Sequence, residues 1–247
     1  MTIRIRIFET ADALSRALAK RIAKALAAAP KLVLGLPTGR TPLPLYRELV
    51  RLHLAGRADF SKATTFNLDE FVGLEPGDPR SYHAFMRRHL FDHVNLAPRR
   101  IHLLNGAAPD LASECARYER AIARAGGIDL QIVGLGLNGH IGFNEPAGAL
   151  VAATHRTRLR QATRRANVTL FGRRMRAVPT EALSMGMATI LGAQQIVLLA
   201  TGASKARSVE RMTAGIVTPR VPASFLQLHR DTEMWLDRAA AGGTAPP

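Results

Sequence analysis

Several features are scarce or missing in this sequence of 247 residues, and each shortage argues against a class of protein. There is one cysteine, Cys115, which excludes an internal disulfide framework and a cysteine-based zinc site. No apolar run approaches the length that spans a bilayer, and the N-terminal stretch MTIRIRIFET alternates charged residues with isoleucine instead of forming a signal-peptide core. These absences predict a cytoplasmic protein with no membrane partner.

Acidic residues are also few. The chain has 19 aspartates and glutamates but 34 lysines and arginines, which gives a formal net charge of +15. Such a charge fits a nucleic-acid binder, a protein of anionic membrane surfaces or an enzyme for small phosphorylated substrates. Aromatic residues are only 5% of the chain, and they are not interleaved with its densest basic stretch, residues 155–176, as stacking platforms for bases would be. We therefore expect no specific nucleic-acid partner, although charge alone does not decide the function.

The apolar residues, 47% of the chain, follow the patterns of an α/β protein. Short strands are predicted at residues 3–7, 32–36, 63–68, 130–136 and 195–201. Apolar residues recur at every fourth position from Leu14 to Leu26, which predicts a helix that ends near Pro30. Buried strands separated by helices indicate a mostly parallel sheet in three layers, with helices on both faces. We predict one domain over residues 1–238 and a disordered tail at 239–247.

Ligands of such sheets bind beyond the carboxyl ends of the strands, and the segment LPTGRTP at residues 36–42 falls there. A glycine turn that leads into a helix leaves backbone N–H groups unpaired at the positive end of the helix dipole, an arrangement that binds anions. Thr38 and Thr41 add hydroxyl donors, with Thr41 as the predicted N-cap and Pro42 as the first helical residue. The spacing is not that of a Walker A loop, and a lone glycine turn is more often structural.

The segment FNLDEF, residues 66–71, brings Asp69 and Glu70 to the end of an apolar strand. The pair is either solvated there or caps the next segment, or it presents a carboxylate base at the edge of the sheet, and the sequence leaves these interpretations open. With the ordinary pKa of an aspartate, near 4, Asp69 would be ionised at neutral pH.

The segment GLGLNGHIGFNEP, residues 134–146, has three glycines at the GxGxxG spacing of dinucleotide-binding proteins. Two observations weaken that interpretation, since the glycines lead into a loop instead of a helix and residues 151–167 contain no aspartate or glutamate. The segment instead carries Asn138, His140 and Glu145. A histidine with a carboxylate partner can transfer protons, so we predict a catalytic loop.

Stretches from the whole chain together resemble the glucosamine-6-phosphate deaminase family, also called glucosamine-6-phosphate isomerase. They are LGLPTGRTPLPLY, TTFNLDEFVGL, SYHAFMRRHLFDHV, IHLLNG, VGLGLNGHIGFNEP and LQLH, and the similarity extends over residues 1–238. The resemblance implies a Rossmann-like α/β fold and no metal or organic cofactor. It also implies a hydrolase that releases ammonia, converting glucosamine 6-phosphate and water into fructose 6-phosphate and ammonia.

The resemblance further implies a role for individual residues. Asp69 matches the base that moves a proton from C2 to C1 of the opened sugar. His140 matches the group that handles the ring-oxygen proton during ring opening, assisted by Glu145, and Asn138 would orient His140 by a hydrogen bond where some relatives have an aspartate. The implied ligands of the 6-phosphate are Thr38, Gly39, Arg40, Thr41 and Lys205.

One departure from the family pattern concerns the phosphate. The family often supplies an arginine at the position of Thr169, where this chain has no cation. Arg40 stands in a loop position that holds glycine or serine in some relatives, so we expect it to replace the missing charge beside Lys205. Arg173 and Arg174 are the rival candidates.

A second departure concerns regulation. Some relatives are hexamers activated by N-acetylglucosamine 6-phosphate through basic residues after the NEP motif and a tyrosine near a longer C-terminus. This chain has no tyrosine after Tyr118, so we expect no such activation. A homo-oligomer stays open.

Three alternative functions remain open on the sequence. 6-Phosphogluconolactonase, a hydrolase on the same fold with a similar phosphate loop, typically has a GHTAS-type sequence where this chain has GHIGFNEP. A deaminase or isomerase for another amino sugar phosphate, such as galactosamine 6-phosphate, is not excluded. A sugar-phosphate sensor or nucleic-acid-binding module would not need Asp69, His140 and Glu145 together, so we expect an enzyme.

Overall fold

A computed structural model describes residues 3–242, and strands and helices alternate along most of this part of the chain. The strands are β1 (Arg4–Phe8), β2 (Val33–Leu36), β3 (Thr64–Asn67), β4 (Asp69–Phe71), β5 (Ile101–His102), β6 (Leu130–Gly134), β7 (His155–Arg158), β8 (Glu181–Ser184), β9 (Gln195–Ala200) and β10 (Thr232–Asp237). The α-helices are α1 (Ala11–Ala28), α2 (Leu43–Leu54), α3 (Tyr82–His89), α4 (Leu111–Arg124), α5 (Gln161–Asn167), α6 (Met187–Leu191), α7 (Ala206–Thr213) and α8 (Arg238–Ala241). Short 3₁₀ helices lie at Phe91–His93, Pro98–Arg100, Val168–Phe171, Met175–Ala177, Ala203–Lys205 and Pro222–Leu228.

Seven strands form one parallel sheet in the order β1-β10-β9-β6-β2-β3-β5. From β2 the chain runs outward to β3 and β5 and then returns to β6, on the other side of β2. This reversal opens a crevice beyond the carboxyl ends of β2 and β6, where ligands of such sheets bind. The segments 37–42 and 135–146 both begin there. The predicted fold class, a three-layer Rossmann-like sheet with helices on both faces, is confirmed.

The core consists of two apolar layers, one on each face of this sheet. Successive residues of a strand point to opposite faces, so Val197 and Leu199 of β9 pack in the layer beneath α1, α2 and α3. Ile196 and Leu198 pack in the layer on the other side, with α4, α6, α7 and α8. Because both faces are covered, most positions of the central strands are apolar, although Gln131 of β6 and Glu233 of β10 are buried polar residues. Periodicity located five of the seven strands and missed β5 and β10.

A second, antiparallel sheet of order β4-β8-β7 was not predicted. Only Leu68 separates β3 from β4, so the chain leaves the large sheet and enters the small one within a single residue. Asp69 pairs with Ser184 at the start of β4. The strands DEF and HRTR are short and polar, and they carry no alternation that indicates a strand.

The predicted start of α2 was wrong by one residue. Pro42, not Thr41, occupies the N-cap position, and no side chain caps this helix. The backbone N–H of Leu43 donates to the carbonyl of Arg40 at 3.3 Å, so a turn continues directly into the helix. Thr41 is consequently part of the loop at the crevice.

The predicted disordered tail is corrected where the structure describes it. Residues 239–241 belong to α8, and Ala240 and Ala241 are buried in the core. The Asp237 carboxylate caps this short helix by accepting the Ala240 N–H at 2.8 Å. The remainder of that prediction, residues 243–247, lies outside the described residues. Within residues 3–242, no helix is both long enough and apolar enough to cross a bilayer.

Candidate active site

The crevice between β2 and β6 holds a cavity of about 380 Å³. Its wall is formed by the loops after β2, β6 and β9, by the start of β4 and by α5. Glu145 lies just behind the wall, and the other predicted site residues line it: Thr38, Gly39, Arg40, Thr41, Asp69, Asn138, His140 and Lys205. Four segments that are far apart in sequence thus meet at one site.

Asp69 is held in an unusual state by this architecture. Its side chain is at the cavity wall but the residue is only 7% exposed, and Oδ1 has no hydrogen-bond partner among the described residues. Burial, together with the charge of Glu70, raises the pKa of Asp69 to about 8, although a hydrogen bond with Thr38 opposes the shift. The expectation of an aspartate with an ordinary pKa was therefore wrong, because the sequence did not reveal the burial that β4 imposes.

Glu70, the second member of the acidic pair, does not line the cavity. It is completely buried, and its carboxylate accepts hydrogen bonds from the backbone N–H groups of Phe71, Tyr82 and His83. Burial raises the pKa of Glu70 to about 7, and these three donors oppose the shift. The two carboxyls of FNLDEF therefore differ in surroundings, since one faces the cavity and the other faces the first turn of α3.

The catalytic loop brings Asn138, His140 and Glu145 into one group. The Asn138 side-chain amide donates to Glu145 Oε2 at 2.8 Å, and Asn138 Oδ1 accepts the backbone N–H of His140 at 3.2 Å. His140 Nδ1 lies 3.7 Å from Glu145 Oε2, a distance for an ionic contact rather than a hydrogen bond. Burial alone would raise the pKa of Glu145, but His140, Thr163 and Asn138 together lower it to about 2. Glu145 is thus a carboxylate that stays ionised.

The glycines of this loop have a packing role, not a dinucleotide-binding one. A Cβ at Gly136 would lie 2.5 Å from the His140 ring, so only glycine lets the imidazole rest against this backbone. Gly139 has a φ of 90°, which favours glycine, and carries the turn that returns the chain to His140. At Gly134 an added Cβ would meet nothing within 4 Å.

Two cavity residues received no role from the sequence. Thr163 of α5 is buried, and its hydroxyl lies 3.4 Å from His140 Nδ1. Tyr82 at the start of α3 is also buried, lines the cavity and hydrogen-bonds with Thr38. Thr163 lies in the polar helix α5, whose sequence spacing indicates no chemistry.

Two cations lie close to each other in the cavity wall. Gly39 turns the loop with a φ of 97°, and Arg40 and Lys205 line the wall together. The pKa of Lys205 is lowered by burial and by the nearby charge of Arg40. Within residues 3–242, neither cation forms a salt bridge with a carboxylate; the Lys205 ammonium donates instead to the carbonyl of Leu135.

The rival cations lie elsewhere. Thr169, Arg173 and Arg174 are exposed and do not line the cavity. Among the three arginines considered for the phosphate, Arg40 is the one at the cavity. As for metals, no group of three or more histidine, cysteine, aspartate or glutamate side chains in the described part of the chain could hold an ion.

Residues 8–235 match the model of a protein family described as glucosamine-6-phosphate isomerases/6-phosphogluconolactonase. The chain belongs to this family. Family members named glucosamine-6-phosphate deaminase include a protein of Alkaliphilus oremlandii, 46% identical over 96% of this chain and 98% of its own length. A second, from Halothermothrix orenii, is 46% identical over 97% of this chain and 99% of its own length.

Solved structures of the family agree with this fold. A monomeric glucosamine-6-phosphate deaminase superposes with a TM-score of 0.94 at 42% identity, covering 97% of this chain and 99% of its own. A 6-phosphogluconolactonase from Trypanosoma cruzi has a TM-score of 0.81 at 19% identity, covering 99% of this chain and 98% of its own, a likeness of fold alone.

The expected enzyme class needs correction. The resemblance led to the expectation of a hydrolase that releases ammonia, whereas the matched family is described by its isomerases and the relatives at 46% identity are deaminases. The class supported is an isomerase-type deaminase. The chemical reason is that the carbon skeleton undergoes an aldose–ketose shift, and the loss of ammonia accompanies that shift.

Proposed function

We propose that this protein converts glucosamine 6-phosphate and water into fructose 6-phosphate and ammonia. The observation that carries the proposal is the meeting of Asp69 with the group of Asn138, His140 and Glu145 on one cavity. The residues around the cavity include a carboxyl base, a proton-transfer pair and two cations. This division matches a phosphorylated sugar that is opened and then isomerised.

His140 is proposed to open the ring. An imidazole beside a carboxylate can carry a proton between the C1 hydroxyl and the ring oxygen, and the charge of Glu145 stabilises the imidazolium that forms. Glu145 suits this role because its pKa of about 2 keeps it ionised throughout turnover. Asn138 donates to Glu145 Oε2, the same oxygen that faces His140, so its amide positions the pair without exchanging a proton.

Asp69 is proposed to move the proton from C2 to C1 of the opened sugar. C1 gains the proton from C2 and O1 gains one from the C2 ammonium, so the aldehyde becomes an alcohol and C2 becomes an iminium. Water adds to the iminium carbon and ammonium leaves, which yields the ketone. The pKa of about 8 makes Asp69 a much stronger base than an ordinary aspartate. The ammonium at C2 of the substrate would lower the pKa of the carboxyl on binding, because an opposite charge nearby favours the ionised form.

Arg40 and Lys205 are proposed to clamp the 6-phosphate. The dianion would satisfy two cations that have no carboxylate partner among the described residues, and a guanidinium can bind two phosphate oxygens at once. Thr38, Gly39 and Thr41 would add hydroxyl and backbone donors. Phosphate binding remote from C1 and C2 fixes the reacting carbons over Asp69.

The organisation of the chain is proposed to follow from the same function. Residues 1–238 would act as one sugar-phosphate isomerase/deaminase domain, in the cytoplasm, with no cofactor, nucleic acid or membrane required. Activation by N-acetylglucosamine 6-phosphate is not expected. A homo-oligomer stays a prediction for this protein. The related solved deaminase is described as monomeric.

The test is an ammonia-release assay with glucosamine 6-phosphate and galactosamine 6-phosphate, with hydrolysis of 6-phosphogluconolactone measured alongside. We expect ammonia from glucosamine 6-phosphate at a kcat/KM well above that for the galactosamine compound, and no turnover of the lactone. The matched control is Asp69→Asn, which should bind substrate but lose most turnover. Lactone hydrolysis without ammonia release would contradict the proposal.

A further inference from the structure

We propose that Glu70 is a positioning residue for the active site, although it does not line the cavity. Its carboxylate fixes the first turn of α3 against β4 and places a negative charge directly behind Asp69. The inference rests on the proposed function of Asp69. It starts from the unfavourable free energy of burying the Glu70 carboxyl. A completely buried carboxyl next to another nearly buried one is unfavourable, and such a pair persists only where the surroundings hold it.

The hydrogen bonds of Glu70 define the first part of this role. A helix begins with backbone N–H groups that have no partner within the helix, and in α3 two of these belong to Tyr82 and His83. Glu70 Oε1 accepts the N–H of Tyr82 at 3.1 Å, and Oε2 accepts that of His83 at 3.0 Å. The next N–H, of Ala84, is capped by the Ser81 hydroxyl at 3.0 Å. Glu70 therefore docks α3 onto β4, and Tyr82 is carried to the cavity wall.

The turn at Gly106 packs closely against Glu70. A Cβ at Gly106 would lie 3.3 Å from Glu70 Cγ and 1.9 Å from the carbonyl oxygen of Phe71. The turn at Gly106 thus lies directly against β4 and closes Glu70 off from solvent. The nearby acidic group is Asp78, whose charge also disfavours ionisation of Glu70.

Electrostatics supply the second part of the role. The titratable groups that act on or face Asp69 are Glu70 on β4, Tyr82 on α3, Tyr46 on α2 and Tyr118 on α4. Burial raises the pKa of the three tyrosines well above 10, so they stay neutral. Glu70 is then the neighbour whose charge raises the pKa of Asp69 and strengthens it as a base.

The experiment compares the pH dependence of kcat/KM in Glu70→Gln and Ser81→Ala. Glutamine keeps the size of the side chain and removes its charge, whereas Ser81→Ala removes a cap from the same helix end without a change of charge. We expect Glu70→Gln to move the acidic limb to lower pH by about one unit, with a larger effect on kcat than on KM. Ser81→Ala should lower the melting temperature and leave the limb in place.

An unchanged acidic limb in Glu70→Gln, with only the loss of melting temperature seen in Ser81→Ala, would overturn the proposal. If Glu70→Gln does not fold, a ¹³C NMR titration of the Asp69 and Glu70 carboxyls in the unaltered protein decides. A step in the Asp69 curve at the midpoint of Glu70 supports the proposal, and independent curves refute it. Failure of the proposed function is seen separately, as absence of ammonia release by the unaltered protein.

Discussion

Replacing Asp69 with asparagine should stabilise the folded protein at alkaline pH while it removes turnover. The folded protein holds a proton on Asp69 up to a pKa of about 8, whereas the unfolded chain releases it near the ordinary value of 3.8. Between these values unfolding releases a proton, so the free energy of unfolding decreases as the pH rises from about 4 to about 8. An asparagine has no proton to release and does not suffer this loss.

The size of the effect follows from the pKa difference. A shift of about four units corresponds to roughly 6 kcal/mol at about 1.4 kcal/mol per unit. Asp69 lies at the wall of a cavity that opens to solvent, which relieves part of the cost, so we expect about 2 kcal/mol. For a chain of this length, that is roughly 4–8 °C in melting temperature.

The assay is a pair of thermal melts of the unaltered protein and Asp69→Asn, at pH 5 and at pH 8.5. We expect the two melting temperatures to differ little at pH 5 and the variant to melt higher at pH 8.5. Equal melting temperatures at pH 8.5 would refute the argument, because the surroundings of Asp69 would then not destabilise its ionised carboxylate. Turnover near that of the unaltered protein would refute the role of Asp69 as the base.

Other perturbations test other parts of the site. Arg40→Ala should raise KM for the phosphosugar about tenfold, which corresponds to the free energy of one charge-assisted hydrogen bond. Arg173→Ala should leave KM unchanged, and equal small effects of the two substitutions would exclude Arg40 from the clamp. Gly136→Ala should abolish most activity because the new methyl group displaces the His140 ring, whereas Gly148→Ala should be active, since an added Cβ there meets nothing within 4 Å and Gly148 does not line the cavity; similar activities would show that the ring position is not critical. Initial rates should follow a hyperbolic dependence on substrate concentration, and a sigmoidal curve relieved by N-acetylglucosamine 6-phosphate would contradict this.

The large sheet and the place of the site were predictable from the sequence. Most positions of the buried strands are apolar, and each predicted strand overlaps one in the structure, as residues 63–68 do with β3. The two-residue β5 and the more polar β10, TEMWLD, were not predicted. The rule that ligands bind beyond the carboxyl ends of parallel strands then located the segments at 36–42 and 134–146 at one crevice. Neither step required knowledge of how the helices pack.

What could not be predicted depends on contacts between distant segments. The small sheet joins residues 69–71 to 181–184, and no pattern in DEF or EALS indicates that partnership. The pKa of Asp69 depends on the same pairing, because β4 buries the carboxyl. Thr163 approaches His140 only because α5 folds back over the catalytic loop. In each case the feature depends on contacts between distant segments, which the local sequence does not indicate.

The two carboxyls at the centre of the site are driven in opposite directions by their surroundings. Asp69 lies among buried, neutral or like-charged groups, and its pKa rises to about 8, while Glu145 lies beside an imidazole and two hydrogen-bond donors, and its pKa falls to about 2. At neutral pH one therefore exchanges a proton readily and the other cannot. When the surroundings move the pKa values of two titratable groups apart in this way, one group can carry out acid–base chemistry and the other can stabilise charge. Proton transfer is accordingly expected at Asp69 and His140, with Glu145 as a fixed charge.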